Sequence, residues 1–207
     1  MMKHTLLTGF LALFSVGTLM AQEQEQEKSL YIKGNAAFAP LGILNVAVEK
    51  QLTQKITLQG DVLISPWKSF AGHELQYYSV SVEGRYYFNE AFKHWYIGAN
   101  IAGAAFNAQK WNYWNDNISV SDAGEVYINS NLYQKGYSVI FGVTGGYQFK
   151  VSDRFNIDIY AGIGTSQDFY KGYNRVTGKR YDVAQKFNKS GEIVPYRGGV
   201  MISYKLK

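Results

Sequence analysis

Across 207 residues the chain carries 21 Lys and Arg against 16 Asp and Glu, a formal net charge of +5, and no Cys. The lack of Cys excludes disulfides and thiolate chemistry. The basic residues are spread through turns and loops instead of forming a patch, so the positive charge does not point to nucleic acid.

The N-terminus runs Met1-Met2-Lys3-His4, then the apolar stretch Leu11 to Gly17, then Ala21-Gln22. That is the order of a secretory signal peptide, so residues 1–21 are expected to be removed. The stretch is shorter than the about 18 apolar residues a spanning helix needs, and Gly9 and Gly17 break it. No Cys stands beside the cut to receive a lipid anchor. Residues 22–29 begin QEQEQEK, a polar tract with nothing to bury, and read as a flexible lead-in to one domain over 30–207.

From Leu30 onward period-two alternation recurs eight times between turn-rich segments, which predicts an all-β fold. The expected strands are 30–39, 43–51, 56–65, 76–88, 95–106, 135–149, 154–165 and 193–206. One face collects Leu44, Val46, Val48, Ile56, Leu58, Val62 and Ile64. It continues through Tyr78, Val80, Val82, Tyr86, Phe88, Trp95, Ile97, Ile101, Tyr137, Val139, Phe141, Val143, Tyr147, Phe149, Phe155, Ile157 and Ile159, and ends on Val194, Tyr196, Val200, Ile202 and Tyr204. The other face carries Lys33, Asn35, Asn45, Glu49, Gln59, Asp61, Glu83, Arg85, Asn100, Gln148, Asp158 and Arg197. Polarity separates by face.

A soluble barrel with an apolar core would show the same period. Three features favour the reverse arrangement, an eight-stranded antiparallel up-and-down transmembrane β-barrel. The polar face is rich in glycine, including Gly98, Gly142, Gly146, Gly162, Gly164 and Gly199, as a crowded lumen requires. Aromatic residues of the apolar face gather beside the short turns, as in an interfacial girdle. The connections alternate in length: 51–55, 89–94 and 150–153 are short, whereas 66–75, 107–134 and 166–192 are long, with 39–42 the brief exception. The short turns would then face the periplasm and the domain would sit in the bacterial outer membrane.

Eight strands leave an interior that side chains can fill, so Glu49, Asp61, Glu83, Arg85, Asp158 and Arg197 are expected to meet in a lumen network, with Lys33 as a further cation. Such a network plugs a pore. A small gated channel is the alternative use of the same groups. Catalysis has few candidates. With His4 in the signal peptide only His73 and His94 remain, at opposite rims, and no cofactor or metal site is expected. An outer-membrane lipid-modifying enzyme or protease would have to centre on His73 with Ser65 or Ser69.

Two outer connections have recognition chemistry. WNYWNDN at 111–117 places Trp111, Tyr113 and Trp114 among amides and a carboxylate, and the last loop carries Tyr170, Tyr173, Arg175, Lys179, Arg180 and Tyr181. The first suits carbohydrate or protein contacts or a packed aromatic rim. The second suits the anionic groups of lipopolysaccharide or another surface ligand.

The last strand, Arg197-Gly198-Gly199-Val200-Met201-Ile202-Ser203-Tyr204, resembles the insertion signal read by the barrel-assembly machinery. Further segments are Leu41-Gly42 with Asn45 and Glu49, Ser65-Pro66-Trp67, Glu83 to Phe88 leading to Glu90-Ala91-Phe92, His94 to Gly98, Gly146-Tyr147-Gln148, and Arg154-Phe155-Asn156 before Gly162-Ile163-Gly164. Together they resemble a domain-of-unknown-function family of small outer-membrane barrels from Bacteroidetes. The resemblance implies fold and location, and no activity. The expected function is a non-enzymatic barrel that supports envelope integrity or presents its outer loops.

Overall fold

The computed structural model describes residues 28–120, 124–183 and 186–207, so residues 1–21, expected to be a signal peptide, and residues 22–27 lie outside the described residues. The alternating segments form strands: β1 (Leu30–Asn35), β2 (Leu44–Gln51), β3 (Ile56–Phe70), β4 (His73–Tyr87), β5 (His94–Ala108), β6 (Ile118–Val120), β7 (Val126–Ile128), β8 (Leu132–Lys150), β9 (Phe155–Asn174) and β10 (Asn188–Lys205). Eight of them close into an antiparallel up-and-down barrel in the order β1-β10-β9-β8-β5-β4-β3-β2, and β6 and β7 form a separate small hairpin. Closure joins the two ends of the described chain. β1 pairs with β10 from Tyr31–Lys205 to Asn35–Met201, and Leu206 N–H donates to the Leu30 carbonyl.

The pleat puts the apolar face outside. Val80 is 62 % exposed, Phe141 50 % and Trp95 62 %, whereas Glu49, Glu83, Arg85 and Asp158 are completely buried. A soluble barrel with an apolar core would have the opposite assignment. Aromatic residues beside the short turns pack in groups on the outer face: Trp95 meets Tyr147 edge-on at 5.1 Å and Tyr147 meets Phe149 at 4.4 Å. On the inner face glycine makes room for tyrosine. A Cβ at Gly146 would fall 2.5 Å from the Tyr96 ring, and one at Gly142 would fall 2.5 Å from the Tyr196 hydroxyl.

Several expected boundaries are corrected. The 66–75 connection is not a long loop: β3 and β4 continue through it to the two-residue turn Ala71-Gly72, both left-handed at φ 49° and 86°. That is the backbone of the tightest hairpins. The 166–192 connection shrinks in the same way, because β9 runs to Asn174 and β10 starts at Asn188. β1 stops at Asn35, not at 39, and a 3-10 turn at Ala39–Leu41 leads into β2.

The short β1 and β2 leave the wall uneven. β2 meets β3 only up to Leu44–Ile64, and β1 meets β10 only up to Asn35–Met201. Above those pairs β3 and β10 have a neighbour on one side alone, and the wall has a notch. Pro66 and Pro195 stand on these two free edges, where a missing N–H breaks no ladder. The third proline, Pro40, lies in the turn beneath, and the Trp67 indole N–H donates to the Leu41 carbonyl at 2.9 Å across the gap.

β10 contains a second correction. Its register with β9 shifts between Pro195 and Arg197, a β-bulge, so Tyr196 and Arg197 both face the lumen. Val194 and Tyr196, which strict alternation places outside, therefore line the interior.

Candidate functional site

The lumen network is built by one inward position after another. Strand parity aims Lys33 from β1, Glu49 from β2, Asp61 from β3, Glu83 and Arg85 from β4, Asp158 from β9 and, through the bulge, Arg197 from β10 into the same space. Arg85 lies at the centre. Its Nε donates to Glu83 at 2.9 Å, and its Nη1 lies 2.8 Å from Asp158 and 3.2 Å from Glu49. Lys33 pairs with Glu49 and, at 2.9 Å, with Asp158. Arg197 makes a second group above, with Asp61 at 2.9 Å and the other oxygen of Glu83 at 2.9 Å.

All six residues expected in the network are thus brought together, with Lys33 as the seventh. Three cations face four carboxylates, which leaves one negative charge in excess. Burying ions is costly, and the pairs repay it only because hydrogen bonds satisfy the remaining oxygens. Thr57 Oγ1 donates to Glu49 at 2.5 Å, the Tyr87 hydroxyl lies 2.9 Å from Glu49 and 2.7 Å from Gln148, and the Tyr96 hydroxyl donates to Asp158 at 2.8 Å. Arg85 lies 4.5 Å over the Tyr96 ring and Arg197 5.6 Å over that of Tyr160.

These tyrosines are absent from the sequence-level polar face. Tyr87, Tyr96 and Tyr160 share parity with Arg85 and Asp158, and that parity was the available signal. A tyrosine scores as apolar, yet its hydroxyl makes it suited to a polar interior.

A hydrophobic floor closes the lumen at the end of the short turns. The connection between β4 and β5 folds inward, so that Ala91 and Phe92 are buried with Tyr31, Tyr87 and Met201. The Phe92 ring lies 4.3 Å from that of Tyr31, and its backbone is left-handed at φ 66°. Ala91 N–H donates to the Gln54 carbonyl and Asn156 Nδ2 to the Phe92 carbonyl, which hold the turn in place.

At the opposite end His73 does not assemble with serine. Its Nδ1 lies 3.0 Å from Gln109 Oε1 and its ring stacks on Trp114 at 4.3 Å, while the Ser65 hydroxyl donates to the Leu75 carbonyl at 2.7 Å. Trp111, Tyr113, Trp114, Tyr170, Tyr173 and Arg180 do not form one patch. Trp111 is 84 % exposed, Trp114 packs on His73, and the Tyr113 hydroxyl meets that of Tyr181 at 3.0 Å. Burial pushes the Tyr181 hydroxyl well above its usual pKa, and the hydrogen bond to Tyr113 adds to this. Tyr170 lies under Lys110, Tyr173 stacks with Tyr133 at 5.8 Å, and Arg180 pairs with Asp182 at 2.7 Å. Tyr173 and Arg180 are joined by a backbone bridge, and Trp114 N–H donates to the Trp111 carbonyl within its own turn. Arg175 donates to the Gly72 carbonyl, which ties the last loop to the tip of the β3–β4 hairpin.

The fold and this interior define a class: a closed eight-stranded barrel with an ion-paired lumen and an apolar exterior. The chain belongs to the family described as "Protein of unknown function (DUF3575)", whose sequence model matches residues 9–206. No curated protein and no solved structure matches it.

Proposed function

We propose that this chain is an exported, non-enzymatic barrel of the bacterial outer membrane, with a plugged lumen, that supports the envelope or presents its outer loops to surface partners. The observation that carries the reading is the outer surface. On β8, Tyr137 and Tyr147 stand ten positions apart with Val139, Phe141 and Val143 between them on the same face. At about 3.3 Å per residue and a tilt near 40°, that is a band about 25 Å high, the height of a membrane barrel's apolar belt. Tyr137 stacks on Phe169 and Tyr147 packs at a tilt against Phe149, so aromatic pairs border the band above and below.

In this reading the short turns face the periplasm, the barrel-assembly machinery inserts the chain through its last strand, and lipopolysaccharide surrounds the outer rim. Lys171 over Phe187 and Lys189 over Phe169 place cations on that rim beside aromatic rings, where anionic headgroups would lie. The membrane assignment is checked by fractionation and gel mobility. The protein is expected to resist carbonate extraction and to migrate differently before and after boiling in SDS. Release into carbonate without detergent sinks the assignment. The non-enzymatic part is checked at His73, because loss of a lipid-A or peptide turnover on His73→Ala would contradict it.

A further inference from the structure

Above the ion network the lumen opens into a cavity of about 280 Å³, walled by β4, β5, β8, β9 and β10. Its chemistry differs from that of the plug beneath it. Each plug carboxylate meets a Lys or Arg, whereas Asp168 has no ion pair among the described residues. Its partners are hydroxyls. Asp168 stands in register with Ser138 on β8 and Ser190 on β10, and it accepts hydrogen bonds from Ser138, from Ser166 at 2.6 Å and from Ser190 at 3.2 Å.

The three serine protons are committed to Asp168, so the serines turn only lone pairs toward the cavity. The one cation lining the cavity among the described residues, Lys110, lies over the Tyr170 ring at 5.2 Å and 3.8 Å from Glu192, so its charge is already matched at the rim. Tyr77, Phe106 and Tyr170 supply aromatic faces, and Tyr196, held by Asn100, separates the cavity from the plug. Acceptors, one uncompensated charge and aromatic walls complement a ligand that is cationic, rich in N–H donors and attached to an apolar body.

We propose that this outer vestibule binds a small organic amine, with its ammonium group on Asp168 and the serine oxygens and its apolar body against Tyr77, Phe106 and Tyr170. Size sets the scale: the cavity falls just below the range of about 300–1,000 Å³ for drug-sized ligands, which suits a single ring with a short aminoalkyl arm. A hard divalent cation is a poor match, because it takes about six oxygen ligands or more with several carboxylates among them, and here there is one. The proposal requires the barrel and its inward faces, and stands whichever membrane surrounds it.

The test uses the full chain refolded in detergent, with phenethylamine as the probe and 2-phenylethanol and phenylacetate as neutral and anionic controls, read by calorimetry and by saturation transfer to the probe. Phenethylamine is expected to bind at least tenfold more tightly than either control and to lose at least tenfold in affinity in Asp168→Asn, which keeps the shape and the serine contacts. Val194→Phe, which fills the cavity and leaves Asp168 intact, is expected to abolish binding. It serves as the independent test if the aspartate variant does not fold. Equal binding by the wild type and either folded variant overturns the proposal. So does preference for phenylacetate, or calcium chloride binding that displaces the amine and depends on Asp168. Failure here leaves the gel-mobility and carbonate results untouched, so the two readings fail separately.

Discussion

Glu83 is held by two arginines from different strands, Arg85 beside it on β4 and Arg197 across the lumen on β10, one on each carboxylate oxygen. It therefore joins the lower ion group to the upper one. Replacing Arg85 by Met leaves buried Glu49 and Asp158 to Lys33 and Glu83 to Arg197, and removing one partner of a buried pair costs about 3–5 kcal/mol. Glu83→Gln instead removes the excess negative charge and keeps the shape, with one amide oxygen left for an arginine and the NH2 turned to the other. Urea unfolding from lipid vesicles should show a loss for Arg85→Met that exceeds the loss for Glu83→Gln by about 2 kcal/mol or more. Equal losses would mean that shape, and not charge balance, holds the plug together. At this scale the sequence is largely legible, because ionised side chains reveal parity without ambiguity. Tyr87 and Tyr96 were hidden because one residue type serves both an apolar girdle and a polar interior.

At the scale of the element, period-two patterning located all eight barrel strands, but their lengths depended on neighbours it could not show. Pro66 reads as the end of a strand, yet β3 continues through it because the adjacent β2 has already ended at Leu44. The bulge at Pro195 and Arg197 is invisible to strict alternation, which is why Tyr196 was assigned to the wrong face. The β4–β5 connection reads as an ordinary short turn, although it supplies the floor. Phe92 is 4 % exposed in a left-handed backbone that a bulky residue adopts only under packing pressure. Phe92→Ala should remove about 3 kcal/mol or more, the usual cost of emptying an aromatic core site. The same unfolding transition measures it. A loss below about 1 kcal/mol would mean that the ring is peripheral to the floor.

For the whole molecule, floor and ion network are separate barriers in series. Arg85, Lys33 and their carboxylates fill the middle of the lumen, while Phe92, Tyr31 and Met201 close one end. The wild type in a planar bilayer is expected to give no steady conductance, and Phe92→Ala is expected to give none either, because the network remains. Stable conductance in the wild type that changes in Arg85→Ala would establish a channel in place of the plug. The division between an apolar exterior and a charged interior was readable from the sequence, since it rests on one repeating rule. The notch, the floor and the vestibule were not, because each depends on where separate strands stop relative to one another.

The seam between β1 and β10 has a consequence in time. Its partners, Tyr31–Asn35 and Met201–Lys205, stand at opposite ends of the barrel domain, so the ring stays open until β10 is in place. Every earlier hairpin can form between near neighbours in the chain, but this join has to wait for the slowest search. With five paired positions it is also a short join, and any sheet assembled before it has two unsatisfied borders. Shielding those borders until the ends meet is a requirement that the finished ring no longer displays.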